Sequence, residues 1–147
     1  MAASAWAFWN TAKHRIANGD INLSAGPFRL ALYSSATSGS INTATLTIQS
    51  ELGTEVSGGT YNAGGLTLAG VTWAEAAGSV KFDVTDPIFT ASGSAMSNVR
   101  FGVIVKSLGA ASGYLLCWSA LSTGQFDVTT SNTLTVQMHA NGVFTLA

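Results

Sequence analysis

The chain has 147 residues, of which 47% are apolar and only 9% charged, with a formal net charge of −1. That length implies one domain with a real core. The charge content is far below the roughly 25% of ordinary soluble domains, so Ser, Thr, Asn, Gly and Ala must cover the surface. Six Lys and Arg residues, scattered apart from Lys13 and Arg15, cannot assemble the basic patch that nucleic-acid binding needs.

One cysteine, Cys117, lies in the apolar run Tyr114-Leu-Leu-Cys-Trp118, so no intrachain disulfide can form and a buried small hydrophobe is expected. No segment reaches the roughly 18 continuous apolar residues of a membrane span. The apolar start Met1-Ala-Ala-Ser-Ala-Trp-Ala-Phe-Trp9 precedes its basic residues, the reverse of a secretory signal. The expectation is synthesis in the cytoplasm with no membrane partner.

In chain order, Ser4 is the expected cap of a helix over roughly Ala5 to Ala17, stopped by Asn18-Gly19. Ala5, Phe8, Trp9, Ala12 and Ile16 share one stripe about 100° wide. Trp6 lies off the stripe, available to a neighbouring subunit. Residues 1–19 are therefore read as a helix or arm, and 20–147 as a β-sandwich domain. Phe28 to Ser34 alternates with period two and predicts a half-buried strand. Ser34 to Ala44 reads as a surface loop, and in Thr45 to Leu52 the residues Leu46, Ile48 and Leu52 fit a short helix or a strand, a helical turn being slightly favoured.

The most patterned stretch follows. Two Gly-Gly pairs, Gly58-Gly59 and Gly64-Gly65, flank Tyr61 and then give way to alternating apolar residues. Glycine accepts positive φ and close backbone approach, so a shaped corner delivering the chain into a sheet is expected. Leu66, Leu68, Val71 and Trp73 are the buried candidates beyond it, with a bulge or register change at Gly70. Ala76-Ala77-Gly78 predicts a turn, and Val80, Phe82 and Val84 point inward. Asp86-Pro87 interrupts, and Ile88 to Ala91 resumes extended structure. Asn98 to Lys106 has the composition of a central strand, and Tyr114 to Ala120 is its hairpin partner across a loop of about five residues. Thr133 to Met138 alternates again, Asn141-Gly142 predicts a tight turn, and Val143 to Leu146 is the last strand. About eight short strands with Gly/Asn/Ser turns predict an all-β fold, a jelly-roll-like sandwich with the helix outside.

Catalytic patterns are weak. The acidic residues Asp20, Glu51, Glu55, Glu75, Asp83, Asp86 and Asp127 offer one pair, Glu55 and Glu75, flanking the glycine corner, against the facing pair a glycosidase requires. His14 and His139 are too few for a histidine-based metal site. The Gly-rich stretch lacks the lysine of a phosphate loop. No catalytic, cofactor-binding or metal residue is assigned. Tyr61 is the aromatic expected to be exposed or inter-subunit, whereas Trp73 and Trp118 are expected in the core. Exposed aromatics on a β-sandwich also suit a carbohydrate-binding module, an alternative reading.

Several segments together carry a resemblance. Ala17-Asn-Gly-Asp-Ile-Asn-Leu23 leads to Phe28-Arg-Leu-Ala-Leu-Tyr33. Gly59-Thr-Tyr-Asn-Ala-Gly-Gly65 runs into Leu66 to Leu68, and Phe101-Gly-Val-Ile-Val105 is followed by Leu115-Leu116. The chain closes on Ala140-Asn-Gly-Val-Phe-Thr-Leu146. In order and ending this resembles small virion structural proteins of tailed bacteriophages and prophages, of the capsid decoration (cement) type. It departs at Phe82-Asp-Val-Thr-Asp-Pro-Ile-Phe89, which lacks the family's Trp. The resemblance implies a non-enzymatic homo-oligomer, dimer or trimer, on the capsid surface, with the major capsid protein as partner and no cofactor. A tail, neck or fibre position is the alternative within the virion. The expected protein contacts are Trp6, Phe8, Trp9 and Tyr61.

Overall fold

The computed structural model describes residues 5–109 and 112–146, with the side chain of Ala76 outside that description. The described chain is mostly β. Strand β1 (Ala7–Phe8) precedes helix α1 (Asn10–Asn18) and strand β2 (Phe28–Tyr33). A 3-10 turn at Ser35–Thr37, helix α2 (Ser38–Ile41) and a 3-10 turn at Gln49–Glu51 come next. Strands β3 (Leu66–Thr67), β4 (Thr72–Ala76), β5 (Ser79–Asp83), β6 (Ile88–Thr90) and β7 (Met96–Val99) follow. The chain ends with β8 (Phe101–Gly109), β9 (Ser112–Ala120), β10 (Phe126–Val128), β11 (Thr133–Thr135) and β12 (Phe144–Leu146).

Four antiparallel sheets form among the described residues: β1-β9-β8-β2-β3, β12-β5-β4, β10-β7 and β11-β6. Strand β8 is central, as its β-branched run predicts: Phe101 to Val105 are all buried, so both of its faces are covered. The β8–β9 ladder continues to Gly109↔Ser112, so the connection is shorter than the expected five residues. Burial of Cys117 is complete and pushes its thiol pKa up.

A run of aromatic rings joins the large sheet to the three-stranded one. Phe28 meets Phe82 at 5.2 Å, Phe82 stacks on Phe144 at 5.0 Å, and Phe144 takes Phe8 edge-on at 4.4 Å. Such pairs contribute about 0.5–1.5 kcal/mol each beyond their buried area. Trp73, at 6.1 Å from Phe144, and Trp118, edge-on to Phe101, are half-buried at the margin of this packing, short of the core positions expected for them.

Several elements differ from the sequence expectation, each for a packing reason. The proposed cap Ser4 lies outside the described residues. The helix begins only at Asn10, because Ala7 and Phe8 are instead paired with Trp118 and Cys117 on the edge of β9. Sheet pairing there overrides the helix preference of an alanine-rich start. The stop is where Asn18-Gly19 puts it: Gly19 takes φ +83° and its N–H reaches the Ile16 carbonyl. The expected loop 34–44 instead forms two short helical turns, because Ile41, its one large apolar residue, is driven to 1% exposure. Leu66, expected inward, is 38% exposed, while Leu68 is buried. At Gly70, φ +61°, the chain changes sheet altogether, leaving β3 in one and entering β4 in the other. The turn at Ala77-Gly78 has φ of +52° and +80° and joins β4 to β5 by a two-residue hairpin loop.

Candidate protein-contact site

The glycine corner is built around Tyr61. Strand β3 pairs with Arg29 and Leu30 of β2 and then ends. The next donor along that edge of β2, the Leu32 N–H, is taken by the Tyr61 hydroxyl at 2.9 Å. That hydroxyl in turn donates to Glu55 Oε1 at 2.5 Å, and the same oxygen accepts the Gly64 N–H at 2.7 Å. Beyond it, Val56 N–H donates to the Leu32 carbonyl and Ser34 N–H to the Thr54 carbonyl. Tyr61 and Glu55 therefore complete the ladder along the end of β2 where no strand does. Burial, and then the hydrogen bond to Glu55 and its charge, push the Tyr61 pKa well above the usual phenol value. Burial pushes Tyr33 up as well.

Sterics fix the glycines. A Cβ at Gly65 would stand 2.1 Å from the Leu30 carbonyl oxygen, and one at Gly58 2.2 Å from that of Ala95. Both also have positive φ, so any side chain is excluded twice over. Gly59 N–H and Thr60 Oγ1 tie the corner to Ser94 Oγ and the Thr90 carbonyl, at 2.8 and 2.6 Å.

The outer side of this corner is a concavity of about 240 Å³, with Thr60, Tyr61, Asn62, Leu66, Ile88 and Phe89 among its lining residues, none of which is charged. The Tyr61 ring forms part of its floor, stacked on Phe89 at 6.0 Å. Leu66 and Ile88, 38% and 55% exposed, stand at its rim. The sequence carried a signal for Ile88. Adjacent residues of an extended strand face opposite sides, so with Phe89 inward Ile88 must face out.

The four expected contact residues separate. Trp9 is corrected: it is 2% exposed, and its Nε1 donates to the Ile41 carbonyl at 3.1 Å, so it belongs to the chain's own core. Phe8 is half-buried and turned onto Phe144. Trp6 is half-buried above Gly102, where a Cβ would lie 3.6 Å from its ring. Tyr61 is half-buried with its hydroxyl committed, so it presents part of its ring and no free phenol.

The acidic residues stay dispersed. Glu55 serves the corner while Glu75 sits on β4 in the other sheet, and Asp83 pairs with Lys81 at 3.1 Å. His139 accepts from the Asn141 N–H inside its turn. Among the described residues no group of three His, Cys, Asp or Glu could hold a metal ion, and no helix is long and apolar enough to cross a membrane. Comparison of the chain with protein-family models, with curated proteins and with solved structures finds no match.

Proposed function

We propose that the chain is a non-enzymatic virion structural protein of the capsid decoration type, a homo-oligomer that clamps the major capsid shell. In this reading the four sheets make a jelly-roll-like sandwich. The observation that carries it is the uncharged concavity at the glycine corner. Its floor is held by backbone and carboxylate hydrogen bonds, and its rim presents Leu66 and Ile88. Charge-depleted centres with apolar and aromatic residues are the composition of protein interfaces. A floor already held by hydrogen bonds limits the ordering cost of association. The uncharged lining selects an uncharged protein surface as its occupant.

The test is co-sedimentation of the purified protein with undecorated phage shells, for the wild type, Leu66→Asp and Ile88→Asp. Both side chains are exposed, so the variants should melt as the wild type does. Shell affinity should fall at least about tenfold, equivalent to ~1.4 kcal/mol. Wild-type protein that ignores shells would remove the decoration role. Variants that bind as the wild type does would remove this surface.

A further inference from the structure

We infer that β4 is the edge through which two copies of this chain pair, extending the β12-β5-β4 sheet across a two-fold axis. The inference rests on the homo-oligomeric part of the reading above and adds the surface that makes it.

Strand β4 is the outer strand of its sheet, and at five residues it is the longest strand that ends a sheet among the described residues. Its ladder with β5 runs through five consecutive pairs without a bulge. Thr72, Ala74 and Glu75 are exposed. A long, regular, open edge is a template for another strand. Proteins that stay monomeric blunt such edges with Lys, Pro, bulges or a covering element. The sequence Thr72-Trp-Ala-Glu-Ala76 has no Lys or Pro, and its one charge is Glu75.

The direction of the free backbone groups follows from the neighbouring strand. The Phe82 carbonyl accepts from Val143 N–H, so Phe82 faces away from β4. Lys81 and Asp83 then face β4 and pair with Ala74 and Thr72. The N–H and C=O groups of Trp73 and Glu75 are left pointing outward, and no other described strand pairs with them. An antiparallel two-fold axis at Ala74 sets Trp73 of each copy opposite Glu75 of the other. Those two residues then exchange both hydrogen bonds, on each side of the axis. Ala74 meets its own copy as a non-hydrogen-bonded pair. An axis at Glu75 would set two carboxylates face to face, which is unfavourable for directly opposed like charges. Glu75 therefore selects the register and leaves the edge open. A closed two-fold of this kind uses the same patch on both subunits.

Disulfide trapping tests the register. Non-hydrogen-bonded pairs stand about 4.5 Å apart between Cα atoms, within the ~4.4–6.8 Å that a disulfide spans. Ala74→Cys should therefore form a covalent dimer under mild oxidation. Glu75→Cys should not, because its copy is a diagonal neighbour about 7–8 Å away. Cys117 is fully buried and stays silent in both. Glu75→Pro removes an outward N–H without touching the β4–β5 ladder, and should be monomeric by sedimentation while the wild type is dimeric. A wild type monomeric at its highest soluble concentration overturns both the pairing and the homo-oligomer reading. A wild-type oligomer that persists in Glu75→Pro, or an Ala74→Cys protein that does not cross-link faster than Glu75→Cys, overturns the β4 interface alone. None of these outcomes depends on shell binding, so the decoration role stands or falls separately.

Discussion

The N-terminal segment and the glycine corner are the two regions from which the sequence predicts protein contacts, and they are held by different forces. In the first, the aromatic residues face the chain's own interior: Trp9 is 2% exposed, Phe8 lies on Phe144, and β1 is part of the large sheet. In the second, hydrogen bonds converge on one phenol and one carboxylate, and an apolar rim is left outside. An aromatic cluster on a short sequence stretch thus says that something apolar will be covered, but not by which chain. The pairing of β1 with β9 and the burial of Trp9 and Ala12 tie residues 7 to 18 into the fold. Their removal would uncover the β9 edge and the pocket of Trp9.

The largest effect expected from breaking this comparison is at Trp9. Trp9→Ala should destabilise the protein by about 3–5 kcal/mol, the range for removing a large buried ring. It also leaves the Ile41 carbonyl without its donor. Against a total stability of ~5–15 kcal/mol, much of the molecule should lose its cooperative transition in urea. A wild-type midpoint in this variant would show that the N-terminal segment is an appendage after all.

At the corner the expected effect is smaller and chemically distinct. Tyr61→Phe keeps the ring on Phe89 but leaves the Leu32 N–H unpaired, at a cost of about 1–3 kcal/mol. It should also change the alkaline limb. The folded phenol has a raised pKa, so its contribution is full below the ~10 of an unfolded tyrosine and is lost as pH rises toward the higher folded value. Phenolate absorbance and urea midpoints between neutral and strongly alkaline pH should show Tyr61→Phe losing less stability than the wild type. Identical alkaline slopes would mean that the Tyr61 hydroxyl does not hold the corner.

How much of this was legible follows the range of the interactions. Period-two alternation marked β2, β5 and β11 as strands, and the β-branched run marked β8, because both signals are written locally; that β11 and β12 pair with β6 and β5 and not with each other was not legible. The Gly pairs announced a tight corner, since few other residues adopt those φ values. What the corner is made of was not legible. Glu55 is six residues from Tyr61, and only the fold brings both to Leu32. The exposure of Leu66 depends on β3 being the outermost strand of its sheet, which no local pattern states. Ile41 was missed because a single apolar residue in a Ser/Thr/Gly run has no periodicity, although its burial orders the whole 35–41 segment. The mistaken assignment at Trp9 has the same origin. A helix stripe gives the direction of a side chain, whereas the sheet edge claimed by Ala7 and Phe8 moved the helix start from the expected Ala5 to Asn10.

The smallest expected effect sharpens the comparison by repeating the corner's chemistry at the surface. Glu51 collects the Thr47 and Ile48 N–H groups at 2.6 and 2.9 Å and the Thr47 hydroxyl at 3.1 Å, as Glu55 collects Tyr61 and Gly64. Those backbone bonds hold its carboxyl below the usual range. Its stabilisation is therefore present above the ~4.3 of an unfolded glutamate and drains away as pH falls through the lower folded value. Because Glu51 is open to solvent, water replaces much of what the carboxylate loses. Glu51→Gln should flatten the acid dependence of amide exchange at Thr47 and Ile48 and leave the global urea midpoint nearly unmoved. The exchange of Gly64 should be untouched, because the Glu55 clasp is separate. If Glu51→Gln lowered the global midpoint as much as Tyr61→Phe, the advantage assigned to the half-buried clasp over the exposed one would not exist.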